Sequence, residues 1–325
     1  MKRFIGLLFS LVLLAGSAWV LLNPRPIIDF AVASTHKPSS GLVALRDRIQ
    51  PTERAIFLLN ATQAELDDRS SFNHHCQKKA EQTIVLGCYQ GPQNIYVYDV
   101  QDERFSGVKE VTLAHEMLHA AYERLPGNER RQVNQMLEQA LPSLLSENSD
   151  LTKRLELYQK IEPGERDNEL HSILGTEAAA LPPDLENYYK QYFKNRQVVT
   201  DYAASYAKVF TNLKVNQDDV VSDLKALGRE IDDLSAQYNS GQEQLNSDID
   251  DFNATANNEG RYANQAEFDA ARQALVGRRD RLDALRETIN QKVSRYNAKR
   301  AELQALNVQI EELNNKLDSS STPSL

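Results

Sequence analysis

The spacing of apolar residues changes four times along the chain. From Phe4 to Leu22 the sequence GLLFSLVLLAGSAWVLL and its neighbours carry no charge, behind a short positive head of Lys2 and Arg3. At about 1.5 Å of rise per residue such a run is long enough to cross a bilayer. It predicts a retained transmembrane anchor over residues 1–24, with the body of the protein outside the cytoplasm. A polar linker follows over 25–41, ending in THKPSSG.

Helical spacing then appears in LVALRDRIQPTERAIFLLNATQAEL, where Pro51 suits the first turn of a helix. The rhythm shortens in TIVLGCY and NIYVYDV, two β-rich runs joined by GPQN, which predict a β-hairpin with Ile95 and Val97 on one face. Helical spacing returns from Val108 to Leu125. RQVNQMLEQALPSLL predicts a helix broken at Pro142, and LTKRLELYQKI another. NELHSILGTE reads as helix up to Pro182 and Pro183, and the sequence from Asp184 to Phe210 as one long helix.

After about Lys214 the pattern is that of a coiled coil. Leu224, Leu227, Ile231, Leu234, Tyr238, Leu245, Ile249 and Phe252 form one stripe, and Leu282, Leu285, Ile289, Val293, Tyr296, Leu303, Leu306, Ile310, Leu313 and Leu317 a second. The weak middle between them predicts an antiparallel hairpin over 211–318, with a single dimerising helix as the rival. Residues 319–325 read as a disordered tail.

Composition adds limits. The 325 residues carry 46 acidic and 37 basic side chains, a net charge of −9. No basic aromatic cluster offers a footprint for nucleic acid, so none is expected as a partner. The two cysteines, Cys76 and Cys88, allow one disulfide in an oxidising compartment. A zinc site built from His74, His75 and Cys76 is the lesser reading, because adjacent side chains diverge.

The chemistry concentrates in VTLAHEMLHAAYERL. His115 and His119 stand four residues apart, on one helix face. They can offer two neutral imidazoles to one zinc ion. Glu116 reaches the water beside the ion rather than the ion, and is the candidate general base. A tetrahedral site needs one more protein ligand. A glycine at 122 and a histidine at 125 would complete one known pattern, but Tyr122 and Leu125 stand there. The downstream segment RDNELHSILGTE offers Glu169 first, then Glu177, then His171. Ser172 is small enough to let that helix approach the motif helix. Tyr122, Tyr188, Tyr189 and Tyr192 are available as further donors, with packing as their first expectation.

AHEMLHAAYERL followed by a glutamate on a later helix resembles zinc metallopeptidases of the zincin class, in the glutamate-ligand branch called gluzincins. The likeness spans roughly residues 50–200. It implies an α+β domain over 42–210, zinc held by His115, His119 and Glu169, and Glu116 as base. It also implies an edge strand that pairs with an extended peptide, for which NIYVYDV is the natural choice. Members place an aspartate four residues after the ligand glutamate; here that residue is Ile173. The expectation is therefore a membrane-anchored extracytoplasmic zinc metallopeptidase acting on a peptide or protein, whose coiled coil recruits a partner or self-associates. A coiled-coil envelope scaffold and a zinc amidase of cell-wall peptides are the alternatives.

Overall fold

A computed structural model describes residues 24–76, 85–147, 164–256 and 262–319. The chain divides into two compact units, one of Met1–Phe210 with Glu312–Leu325, the other of Thr211–Glu311.

The first unit is a small α+β domain. Helices α1 (Arg25–Thr35), α2 (Ser40–Arg48) and α3 (Glu53–Ala61) lead into strand β1 (Glu65–Asp67) and helix α4 (Arg69–His75). Strands β2 (Gly87–Gln90) and β3 (Asn94–Tyr98) follow, then α5 (Val108–Glu123), α6 (Gly127–Glu147), α7 (Arg166–Glu177) and α8 (Pro183–Tyr189). The sheet order is β1-β3-β2. β2 and β3 pair antiparallel, with Gly87 opposite Val97 and Cys88 opposite Tyr96. β1 joins β3 in parallel. Ile95 and Val97 are fully buried and share a core with Leu113, Met117, Leu118, Leu170, Leu174 and Tyr189. α5 therefore lies between the sheet and α7. α2, α3 and α4 start with Ser39, Thr52 and Asp68, each accepting a bond from a backbone N–H of the first turn.

The second unit contains most of α9 (Gln197–Ala256) and α10 (Gln265–Leu317). The two helices fold back on each other as an antiparallel hairpin. Lys299 meets Asp223 at 3.1 Å, Lys292 meets Glu230 and Arg278 meets Asp248, so the contacts march in opposite directions along the arms. Phe252, Tyr262 and Phe268 gather their rings near the turn.

Several expectations need correction. No helix among the described residues is long and apolar enough to cross a membrane. The run from Phe4 to Leu22 itself lies outside the described residues. The membrane anchor, the extracytoplasmic placement and the membrane as a partner are therefore not carried forward. Residues read as linker form α1, because Asp29 is buried in a two-pronged ion pair with Arg124, at 2.8 and 2.9 Å. α6 runs through Pro142. That proline lacks one intrahelical N–H but sits on the exposed side. The long helix expected from Asp184 is interrupted between Tyr189 and Gln197. There the backbone pairs with the chain before α3: Thr52 N donates to the Tyr192 carbonyl and Lys194 N to the Gln50 carbonyl, both at 2.9 Å. Phe193 turns into the core and Arg196 binds the Ala178 carbonyl at 2.6 Å. The helix expected from LTKRLELYQKI lies outside the described residues.

Candidate metal centre

α5 begins at Gly107, whose φ of +98° favours glycine. A side chain there would also lie about 3 Å from the backbone and Cβ of Tyr202. The helix then presents His115, Glu116 and His119 within a turn and a half. α7 packs along it through Gly175, where an added Cβ would collide with Leu118 and lie 2.8 Å from Tyr189. Ser172, the residue expected to permit this approach, is buried and bonds the Asn168 carbonyl at 3.2 Å. The glycine one turn later is where no side chain would fit.

This packing brings three donor groups together. His115 Nε2 and His119 Nε2 are 3.0 Å apart. One oxygen of Glu169 lies 3.5 Å from His119 Nε2 and the other 3.6 Å from His115 Nε2. Among the described residues this is the one group of three or more His, Cys, Asp or Glu side chains that could hold a metal ion. Glu169 stands in the first turn of α7, where the helix N-terminus favours a carboxylate. Glu177, on the last turn, is not part of the group.

The residues fit zinc. Bonds of about 2.0–2.1 Å in a tetrahedron place ligand atoms roughly 3.3 Å apart; the two Nε2 atoms are 3.0 Å apart and each has one Glu169 oxygen, at 3.5 Å for His119 and 3.6 Å for His115, so the three side chains lie within reach of one ion. Tautomer chemistry agrees. Asn168 Nδ2 donates to Glu165 at 3.0 Å, which turns Asn168 Oδ1 toward His119. His119 Nδ1 must then donate to that oxygen, at 3.0 Å, and its Nε2 carries the lone pair a metal requires. Two imidazole nitrogens and a carboxylate in a half-buried site form the donor set of a zinc centre of the HExxH type.

Glu116 is buried beside the three and is held from the sheet side. A Cβ at Gly87 would lie 2.9 Å from both Glu116 Cγ and Oε1 and 2.5 Å from Thr112 Cγ2. β2 therefore runs in contact with the motif helix because Gly87 has no side chain. Sequence reading passed over both Gly87 and Asn168. The only signals available were a glycine inside a strand pattern and an amide next to the glutamate.

His171 is excluded as a metal-facing group by its surroundings. It is completely buried, and its Nε2 meets the Tyr188 hydroxyl at 2.9 Å. Burial, with the nearby His119 and His115 adding, pushes its pKa down to about 3, so the ring is neutral. Tyr189 donates to the His171 carbonyl at 2.6 Å, Tyr192 meets Tyr188 at 3.3 Å, and Tyr122 donates to Asn134 at 2.8 Å. Burial raises all four tyrosine hydroxyls above their usual range. These rings pack the core beneath the site.

Cys76 and Cys88 are joined as a disulfide, which removes Cys76 from any zinc site with His74 and His75. The bond ties the end of α4 to β2, one residue from Gly87. Among the described strands β3 is interior and β2 is the edge that lies against α5. NIYVYDV thus supplies the middle of the sheet rather than its rim. No family model, curated protein or solved structure matches the chain.

Proposed function

We propose that the chain is a zinc metallopeptidase of the glutamate-ligand type, with His115, His119 and Glu169 holding the ion and Glu116 acting as general base. The observation that carries the reading is the grouping of two imidazole nitrogens and one carboxylate on α5 and α7, close enough to share one ion.

Zinc in such a site acidifies a water and polarises the carbonyl under attack. The remaining work falls to the chain. Asn168 holds His119 in the tautomer that leaves Nε2 bare. Glu116 takes the proton of the attacking water at a carboxylate oxygen and returns it to the leaving amine. Gly87 keeps that carboxylate against β2. An extended peptide that adds to the open side of β2 would pass its backbone alongside Glu116.

The test uses purified chain. About one zinc ion per chain is expected, lost in His115→Ala and His119→Ala. Glu116→Gln is expected to keep the metal and to stop peptide hydrolysis. Parental turnover by Glu116→Gln removes the assigned base, and full zinc content in both histidine variants removes the site.

A further inference from the structure

The last turns of α10 belong to the first unit rather than to the hairpin that fills the second. Leu313 and Leu317, four apart and so on one face, are both buried to 1 % exposure. Lys316 Nζ lies 3.0 Å from an oxygen of Asp102, and Glu312 lies 3.3 Å from Arg104. Asn73 Nδ2 donates to the carbonyl of Ser319 at 2.6 Å.

These partners stand at two places that border the chemistry. Arg104 lies in the one-turn helix Glu103–Phe105 just before α5, and Asp102 caps that turn and pairs with Arg104 at 2.7 Å. Phe105 in the same turn is buried against the rings of Tyr206 and Phe210 on α9. Gly107 is pressed on Tyr202, and Glu110, almost fully buried, pairs with Arg48 at 2.7 Å. From Val108 to His115 is two turns of helix, roughly 10 Å. Asn73 belongs to α4, whose end is bonded through Cys76–Cys88 to the strand that carries Gly87 against Glu116. The tail of α10 thus touches both the launch of the motif helix and the support of the edge strand.

We propose that residues 312–319 are an activating latch. Docked, they fix the start of α5 and the position of α4, and so the geometry of the metal ligands and the base. Undocked, they leave both supports slack. The Arg104–Glu312 pair is exposed and contributes little, whereas Lys316 meets Asp102 where that carboxylate is only 15 % exposed. Leu313 and Leu317 are buried in a segment of eight residues, which can open without unfolding the domain. α10 is unbroken from Gln265 to Leu317. The latch is the end of the helix that forms the second arm. As a control on the metal site, the inference rests on the zinc reading above.

The full chain carries the test. Leu317→Asp puts a carboxylate at a buried position, and Lys316→Glu faces Asp102 and Glu312 with a like charge; Lys316→Arg is the conservative control. Amide exchange is followed over 312–319 and over 102–116, and zinc affinity by competition with a chelator. Release of 312–319 is expected to speed exchange over 102–116 and to weaken zinc binding at least tenfold, with Lys316→Arg like the parent. Released 312–319 with parental exchange over 102–116 overturns the latch, and so does a segment that stays protected in both variants. If Leu317→Asp does not fold, Lys316→Glu and a chain ended after Glu311 give the same comparison. The exchange readout needs no metal. A chain that never binds zinc therefore refutes the functional reading, while exchange alone still judges the latch.

Discussion

Gly87→Ala is the sharpest single test of how the base is held. The new methyl carbon would sit 2.5 Å from Thr112 Cγ2 and 2.9 Å from Glu116 Cγ and Oε1. Carbon atoms rest at about 3.5–4.0 Å, so roughly 1 Å of movement is required. Thr112 cannot supply it cheaply. It is β-branched within a helix, and its hydroxyl is bonded to the Val108 carbonyl at 2.8 Å. β2 is pinned by its pairing to β3 and by the Cys76–Cys88 bond. Either the strand lifts or Glu116 swings away, and both move the carboxylate from its place. Overpacking of this kind costs about 1–3 kcal/mol of stability, and a 1 Å misplacement of a catalytic group costs on the order of 100-fold in rate. The proposed ligands come from α5 and α7, so zinc content should be unchanged. The assay is kcat/KM on a peptide substrate beside zinc stoichiometry and thermal midpoint. The double variant Gly87→Ala/Thr112→Ala removes the nearest clash and should recover part of both losses. Parental rate and stability in Gly87→Ala would show that β2 does not press on Glu116.

Asn168→Ala removes the acceptor for His119 Nδ1–H, and zinc affinity should fall about 10- to 100-fold with the fold intact; chelator competition reads it, and parental affinity would refute the tautomer argument. Cys76→Ser/Cys88→Ser opens a loop with a sequence separation of 12, for which the chain-entropy relation gives about 3 kcal/mol; denaturant unfolding measures it, and a loss near zero would refute the tether.

The parts legible in the sequence were those whose signal is local. The motif helix, the hairpin and the two coiled-coil stripes each rest on spacing within a short window. The disulfide needed only two cysteines. What escaped depends on residues far apart in the chain. β1 is three residues, Glu-Leu-Asp, too short to show alternation, and exists because β3 offers Glu65 and Asp67 partners in Tyr96 and Tyr98. α1 is fixed in place by Asp29 and Arg124, 95 positions apart. The break after Tyr189 is set by backbone pairing with Gln50 and Thr52; nothing in NYYKQYFKNRQ announces it. Leu313 and Leu317 continue the coiled-coil rhythm and are buried, although this end of α10 groups with the first unit.

The site shows the same division at finer scale. Residue types that donate to metals advertise themselves, so His115, His119 and Glu169 could be proposed from letters alone. Their relative placement is set by residues notable for what they lack. Gly175 lets α7 close on α5 near Leu118 and Tyr189, and Gly87 lets β2 close on Thr112 and Glu116. A missing side chain has no pattern of its own; it acquires meaning only when the opposing surface is known. Sequence favoured Ser172 for the helix approach because it is small and lies three residues from Glu169. At Gly175 the opposing Leu118, one residue before His119, leaves no room for a Cβ, so even a serine would collide there. The departure at Ile173 has a similar resolution. Ile173 is buried in the core, and the polar partner found for a ligand histidine comes from Asn168, on the other side of Glu169. Because α7 carries both the carboxylate and the amide within two successive residues, one shift of that helix would move the third ligand and untether His119 together. The helix contact at Gly175 therefore governs two of the three donor groups at once.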